Sequence, residues 1–155
     1  MAITDPTDNI SAQLTDVARQ YIARATIGEV AFKAIGFSVG RGGYQPADPV
    51  HIIALTGAET ALTDQVYPNV TGEAAFQQID MPGNESTVVY FCRLPSTQPP
   101  SNADYGLGEL GVWAEILNSN VPMEIGQKFL LAIAHFPIKA KTNRDTILFR
   151  TTVQY

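Results

Sequence analysis

Cysteine is almost absent. Cys92 is the only one in 155 residues, so no intramolecular disulfide can form and no paired-cysteine zinc or redox motif is possible. It sits in Val88-Val89-Tyr90-Phe91-Cys92, an apolar run that predicts a buried, inert thiol. Histidine is scarce too, at His51 and His135 alone. Neither belongs to a His-x-x-x-His pair, and no calcium-loop pattern or Gly-x-Ser-x-Gly elbow is present. The pattern therefore predicts no metal, no cofactor and no hydrolytic triad. Charge is sparse at 16% of residues, against about 25% in typical domains. Lys and Arg are scattered without a basic stripe and the net charge is −5, so nucleic acid is not an expected partner. No apolar run approaches the length of about 18 residues that a membrane helix needs. Met1–Pro6 lacks the basic and apolar parts of an export signal. A soluble protein made in a cytoplasm, with no membrane partner, is expected.

Apolar residues, by contrast, make up 45% of the chain. A single domain of this length buries roughly 70% of the surface its unfolded chain exposes. The weakly charged surface suits a chain that packs against other chains, or one covered by Thr, Ser, Asn and Gln; composition does not separate these.

Residues 1–8 are polar and read as an N-terminal arm. Residues 9–155 read as one domain. Ile10, Leu14, Val17, Ala18, Tyr21, Ile22 and Ala25 follow the three-and-four spacing of a helical face, which predicts a helix over 9–25. Asp8 or Ser11 would cap its start and Gly28 would stop it. Val30 to Phe37 alternates as a strand, and Gly40-Arg41-Gly42-Gly43 interrupts it as a turn. Pro46 and Pro49 predict irregular chain, then a short strand over 51–55. A helical turn is possible near Glu73–Phe76. Ser86–Leu94 is rich in β-branched and aromatic residues and reads as a strand. Three more strands, about 107–117, 127–136 and 145–154, read as an antiparallel meander. The expected fold is mainly β with an N-terminal α-helix: an antiparallel β-sandwich or small barrel.

Two segments invite a chemical reading. Gly40, Gly42 and Gly43 follow a strand, where phosphate-binding loops lie. The Gly-Lys-Ser/Thr signature is missing, and prolines follow in place of a helix, so a turn is the expectation. In Gly108-Glu109-Leu110-Gly111-Val112-Trp113, alternation puts Glu109, Gly111 and Trp113 on one face and Leu110 and Val112 on the other. A carboxylate in such a strand must be exposed, paired or hydrogen-bonded. No partner carboxylate is visible for acid–base work, so a structural bond to loop backbone or an Arg is expected. Gly108 and Gly111 leave room for close packing, and Trp113 is expected in the core.

Taken in order, Phe32–Gly43, Gly108–Ala114 and Phe129–Lys139 resemble the tail-collar fibre domain at the virion-attached end of bacteriophage tail fibres. That family shows a strand ending in a Gly-rich loop, a Glu-x-Gly-aliphatic-aromatic strand, and an Ala-x-Ala strand leading to Lys. Asp64–Pro68 fits a middle segment of such proteins. The resemblance spans about residues 25–140. It marks Gly40, Gly42, Gly43, Glu109, Gly111, Trp113 and Lys139 as structural motif residues and implies no catalytic ones. It implies a structural virion protein of a phage tail, a baseplate, collar or tail-fibre attachment subunit, and not an enzyme. Its partners would be copies of itself and other tail, baseplate or fibre proteins, assembled in the host bacterial cytoplasm. The chain stops just after the domain, without a shaft, so receptor binding is not implied. The alternatives are a carbohydrate-binding β-sandwich module, with Trp113, Tyr44, Tyr67 and Tyr105 as stacking platforms, or a head or neck decoration protein.

Overall fold

A computed structural model describes residues 7–69, 76–80, 87–94, 105–141 and 147–155. The protein is mainly β with one helix among these residues. Ten strands run in chain order: β1 (Thr7–Leu14), β2 (Val30–Gly40), β3 (Tyr44–Gln45), β4 (Asp48–Ile52), β5 (Gln65–Asn69), β6 (Phe76–Asp80), β7 (Thr87–Leu94), β8 (Tyr105–Ser119), β9 (Lys128–Lys141) and β10 (Ile147–Gln154). Helix α1 spans Asp16–Thr26, and a 3-10 turn spans Pro122–Glu124.

The first departure from expectation lies in residues 9–14, which form strand and not helix. Ile10, Ala12 and Leu14 turn inward while Asn9, Ser11 and Gln13 are exposed. Ile10 and Leu14 satisfy a period of two as well as a step of four, so periodicity alone could not separate the two readings. The ladder with β10 decides for strand. Thr7 and Asp8, assigned to the arm, open that strand. The helix starts one residue after Thr15, which replaces Asp8 and Ser11 as the cap. Its buried Oγ1 accepts from the Ala18 N–H at 3.1 Å and donates to the Leu130 carbonyl at 2.6 Å. One hydroxyl thus caps the helix and fastens it to β9. Val17, Ala18, Tyr21, Ile22 and Ala25 pack on the core as expected. Gly28, at φ +79°, stops the helix.

Eight strands join in the order β5-β2-β8-β9-β1-β10-β7-β6, and β3 and β4 make a separate hairpin. The β1–β10 pair is parallel and the others are antiparallel, so the sheet is mixed rather than purely antiparallel. β8 and β9 form the expected hairpin, but β10 does not continue the meander. β1 comes between them, pairing with β10 over Thr7–Ala12 and with β9 at Gln13 and Leu14 only. The stretch around Pro46 and Pro49, expected to be irregular, is the β3–β4 hairpin. The possible helical turn at 73–76 lies outside the described residues except for Phe76, which begins β6.

The sheet curls into a half-barrel. Asn69 and Phe76 are seven residues apart, so the ends of β5 and β6 lie within about 25 Å of each other. Seven flat inter-strand spacings would separate the two edges by about 34 Å. Inside the curl, Phe37, Leu110 and Val112 from one wing meet Tyr90, Cys92 and Phe149 from the other in one buried cluster. Helix α1 packs against β9 and β2, and the Tyr21 and Phe129 ring centroids stand 4.5 Å apart. A smaller cluster of Leu62, Leu130 and Ile133, with Leu55 and Trp113, lies on the other face of β8 and β9. There the chain between β4 and β5 covers the sheet.

Candidate functional site

Glu109 sits in the first half of β8 with no exposed surface. Its carboxylate accepts backbone N–H bonds from Gly42 (3.3 Å), Thr63 (3.0 Å) and Asp64 (2.8 Å). Both oxygens are engaged, and the donors come from two loops. One follows β2, the other precedes β5. Asp64 strengthens the junction by accepting from Arg41: its carbonyl takes the Arg41 N–H at 2.9 Å and its side chain the guanidinium at 3.0 Å. Buried backbone N–H groups need acceptors, and a single carboxylate supplies them for chain segments that have no ladder here.

Histidine completes the cluster from the next strand. His135 is paired with Glu109 across β8 and β9, and its Nε2 lies 4.0 Å from Glu109 Oε2. Its Nδ1 is 2.7 Å from the Ile53 carbonyl. A carbonyl only accepts, so Nδ1 carries a proton. Ile53 in turn donates its N–H to the Gly43 carbonyl at 2.8 Å. The β3–β4 hairpin is thereby fastened to both the Gly-rich loop and β9.

The glycines make this packing possible. Gly43 has φ +89°, a region that L side chains rarely occupy. A Cβ there would also strike the Gly108 carbonyl. A Cβ on Gly108 would collide with the Tyr44 ring and the Gly42 carbonyl. Gly40 and Gly42 back directly onto the Glu109 carboxylate, and Gly111 lies under Leu130 and Leu62. Trp113 is half-buried in the small outer cluster and not in the main core. Its indole N–H donates to the buried Ser38 hydroxyl at 2.8 Å.

Six of the seven motif residues therefore lie in or beside one cluster. Lys139 does not: it stands opposite Leu107 near the end of β9 and lines a separate cleft. The carboxylate meets loop backbone, one of the two partners expected, and not an Arg. Sequence reasoning did not connect Thr63, His135 or the hairpin to Glu109. Thr63 acts through its backbone N–H, which leaves no mark in residue identity. Among the described residues no group of three His, Cys, Asp or Glu is placed to hold a metal. No described helix is long and apolar enough to cross a membrane. Cys92 is fully buried, and burial pushes its thiol far up from the ordinary range, with the Thr151 hydroxyl opposing weakly.

No family model, curated protein or solved structure matches the chain.

A second polar cluster lies at the other end of β8. The Arg24 guanidinium bonds Glu124 at 2.9 Å, Asn120 at 3.1 Å and Glu29 at 3.3 Å. Ser119 Oγ donates to Glu124 at 2.7 Å. The bond from Arg24 holds the Glu124 carboxyl below its ordinary range, Ser119 adds to this, and desolvation opposes it. This cluster ties the end of α1 to the β8–β9 turn. Around it Ile27, Leu117, Val121, Met123 and Ile125 are exposed, Met123 at 84% and Ile27 at 71%.

Proposed function

We propose that the chain is a structural protein of a bacteriophage tail, a baseplate, collar or tail-fibre attachment subunit that works by self-assembly and docking and performs no catalysis. One observation carries this reading. The segments on which the family resemblance rests are far apart in sequence, yet they occupy the neighbouring strands β2, β8 and β9, and Glu109 links the Gly-rich loop of the first to the strand of the second. A motif whose parts meet in a buried knot maintains a shape. Glu109 has no exposed surface through which to meet a substrate.

The exposed apolar side chains around Met123 also support docking. Contiguous exposed apolar groups of this kind mark interaction surfaces. The carbohydrate-binding alternative is less well supported. The Trp113 indole is packed on Leu62, Leu130 and Ile133 and bonded to Ser38, which leaves a poor sugar platform.

Light scattering and negative-stain imaging of the purified chain test the assembly reading. The expected result is a closed, symmetric homo-oligomer, the usual state of such parts. A strict monomer at high micromolar concentration and across salt conditions would remove self-assembly from the proposal. Specific retention on a glycan array, abolished by Trp113→Ala, would favour the carbohydrate-binding alternative.

A further inference from the structure

The half-barrel has a split in its wall. β1 and β9 are neighbours, but they pair only at Gln13–Ile133 and Leu14–Ala132. Beyond that point β1 stays with β10 and β9 stays with β8. Backbone polar groups alternate sides along a strand. The Thr15 N–H points at the Leu131 carbonyl, so the groups of Gln13, Ser11 and Asn9 face the same way, as do those of Ile133 and His135 from β9. Among the described residues no strand pairs with Asn9 and Ser11 on that side, or with β9 past Ile133. Pro137 lies further along the split, where it would face Asn9. It has no N–H to offer, and β9 carries an irregularity opposite Gly108 at the same place.

Side chains close the floor that the ladder leaves open. The Phe136 and Phe149 rings stand 5.8 Å apart across the gap. Above them are two clefts that share Asn9, Ile10, Phe136 and Pro137. One measures about 310 Å³ and continues to Lys139. The other measures about 480 Å³ and runs under Val50 and Ile52 of the β3–β4 hairpin. Val50 and Ile52 are both exposed. Together they form one groove along the direction of the strands, with an apolar floor and a polar backbone edge. Among the described side chains no Asp or Glu lines either cleft, although the chain carries a net charge of −5. Lys139 lines one end, and exposed Arg150 pairs in register with Asn9 at its side.

We propose that this groove is a docking slot for an extended segment of another protein, with apolar side chains alternating with a carboxylate, that inserts as a strand beside β1. The free edge of β1 supplies main-chain bonds, the mode by which strands are added to sheets. Ile10 and Phe136, both only partly buried, receive the apolar side chains. Lys139 and Arg150 favour a carboxylate at the end away from His135. Because Pro137 contributes only a carbonyl, β1 is the fuller edge and sets the register. The slot is a property of the fold and stands whether or not the tail assignment holds.

A displayed library of random peptides, about nine residues long to match a strand, selected on the immobilised full chain tests the proposal. Enriched peptides should alternate β-branched or aromatic residues and carry Asp or Glu toward one end. One such peptide, added to the wild-type chain, should slow hydrogen exchange at the Asn9 and Ser11 amides. Replacing both Lys139→Glu and Arg150→Glu, two exposed or half-exposed positions, should weaken its binding by about tenfold. Absence of enrichment over an unrelated protein, or protection at β5 or β6 instead, would overturn the slot. Unchanged binding by the double variant would overturn the acidic occupant. If protection of Asn9 and Ser11 rises with protein concentration alone, the occupant is a second copy and the assignment to another protein fails.

Discussion

Glu109 and Arg24 tie together segments distant in sequence, in opposite surroundings. Glu109 has no exposed surface and binds three backbone N–H groups. Arg24 keeps about a quarter of its side chain exposed, at 26%, and binds charged or polar side chains. Glu109 on β8 and Ser119, the β8 residue nearest the Arg24 cluster, are ten residues apart along the strand, about 33 Å. Buried, the carboxylate cannot be replaced by water when it is lost, so its donors would be left unsatisfied. Exposed, the guanidinium competes with water at every contact, and its ion pairs are screened by salt. The lesson is one of stakes: the buried knot fixes whether the loops fold at all, while the exposed one sets how firmly a turn is held against a helix.

The largest effect should follow Glu109→Ala. Three part-buried backbone donors lose their fully buried acceptor at once, and the expected loss is about 4 kcal/mol, measured by urea unfolding. A loss near 1 kcal/mol would mean that water enters and that the knot is no more than a surface feature. Gly43→Ala comes next, at about 3 kcal/mol, because the left-handed backbone and the Gly108 carbonyl both oppose a Cβ. Ser38→Ala removes the acceptor of the half-buried Trp113 N–H and should cost about 1 kcal/mol, with a change in tryptophan fluorescence as a second readout.

Arg24→Ala should lower the melting temperature less than any of these. It should also flatten the response to salt and acid. The folded-state value of Glu124 lies below its unfolded 4.5, so the stability it lends is present above that pH and is lost as pH falls through the lower value. Wild type should therefore lose more stability than Arg24→Ala on acidification through this window. If the two decline in parallel, the Arg24–Glu124 pair contributes nothing measurable. The smallest expected effect is the coupling itself. A double-mutant cycle between Glu109→Ala and Arg24→Ala should be additive within about 0.5 kcal/mol.

The sequence displayed the parts of the knot without their connections. Glu109 stood out because a carboxylate between Leu107 and Leu110 in an apolar strand needs a partner, and Gly40, Gly42 and Gly43 stood out as a turn. The donors at Thr63 and Asp64 were invisible as donors, since any non-proline residue offers the same N–H. Trp113 reads as core because tryptophan is large and apolar. Its half-buried place in the outer cluster depends on how the chain over 53–64 lies across β8 and β9. Residues 9–14 were misread for a sharper reason: Ile10 and Leu14 obey both periodicities, and only the β10 ladder separates them.

By itself the sequence determined the β-rich class, the helix core from Val17 to Ala25, its stop at Gly28, and the existence of strands over 86–94, 107–117 and 127–136, the last two of which run longer in the structure, to Tyr105–Ser119 and Lys128–Lys141. Those follow from side-chain period and backbone permissiveness, which are local properties. The tertiary structure alone decided that β1 enters between β9 and β10, that the sheet curls instead of stacking into a sandwich, and which amides Glu109 binds. Each of these joins backbone groups far apart in the chain, and backbone groups are chemically alike at nearly every residue. Only the completed packing selects among them.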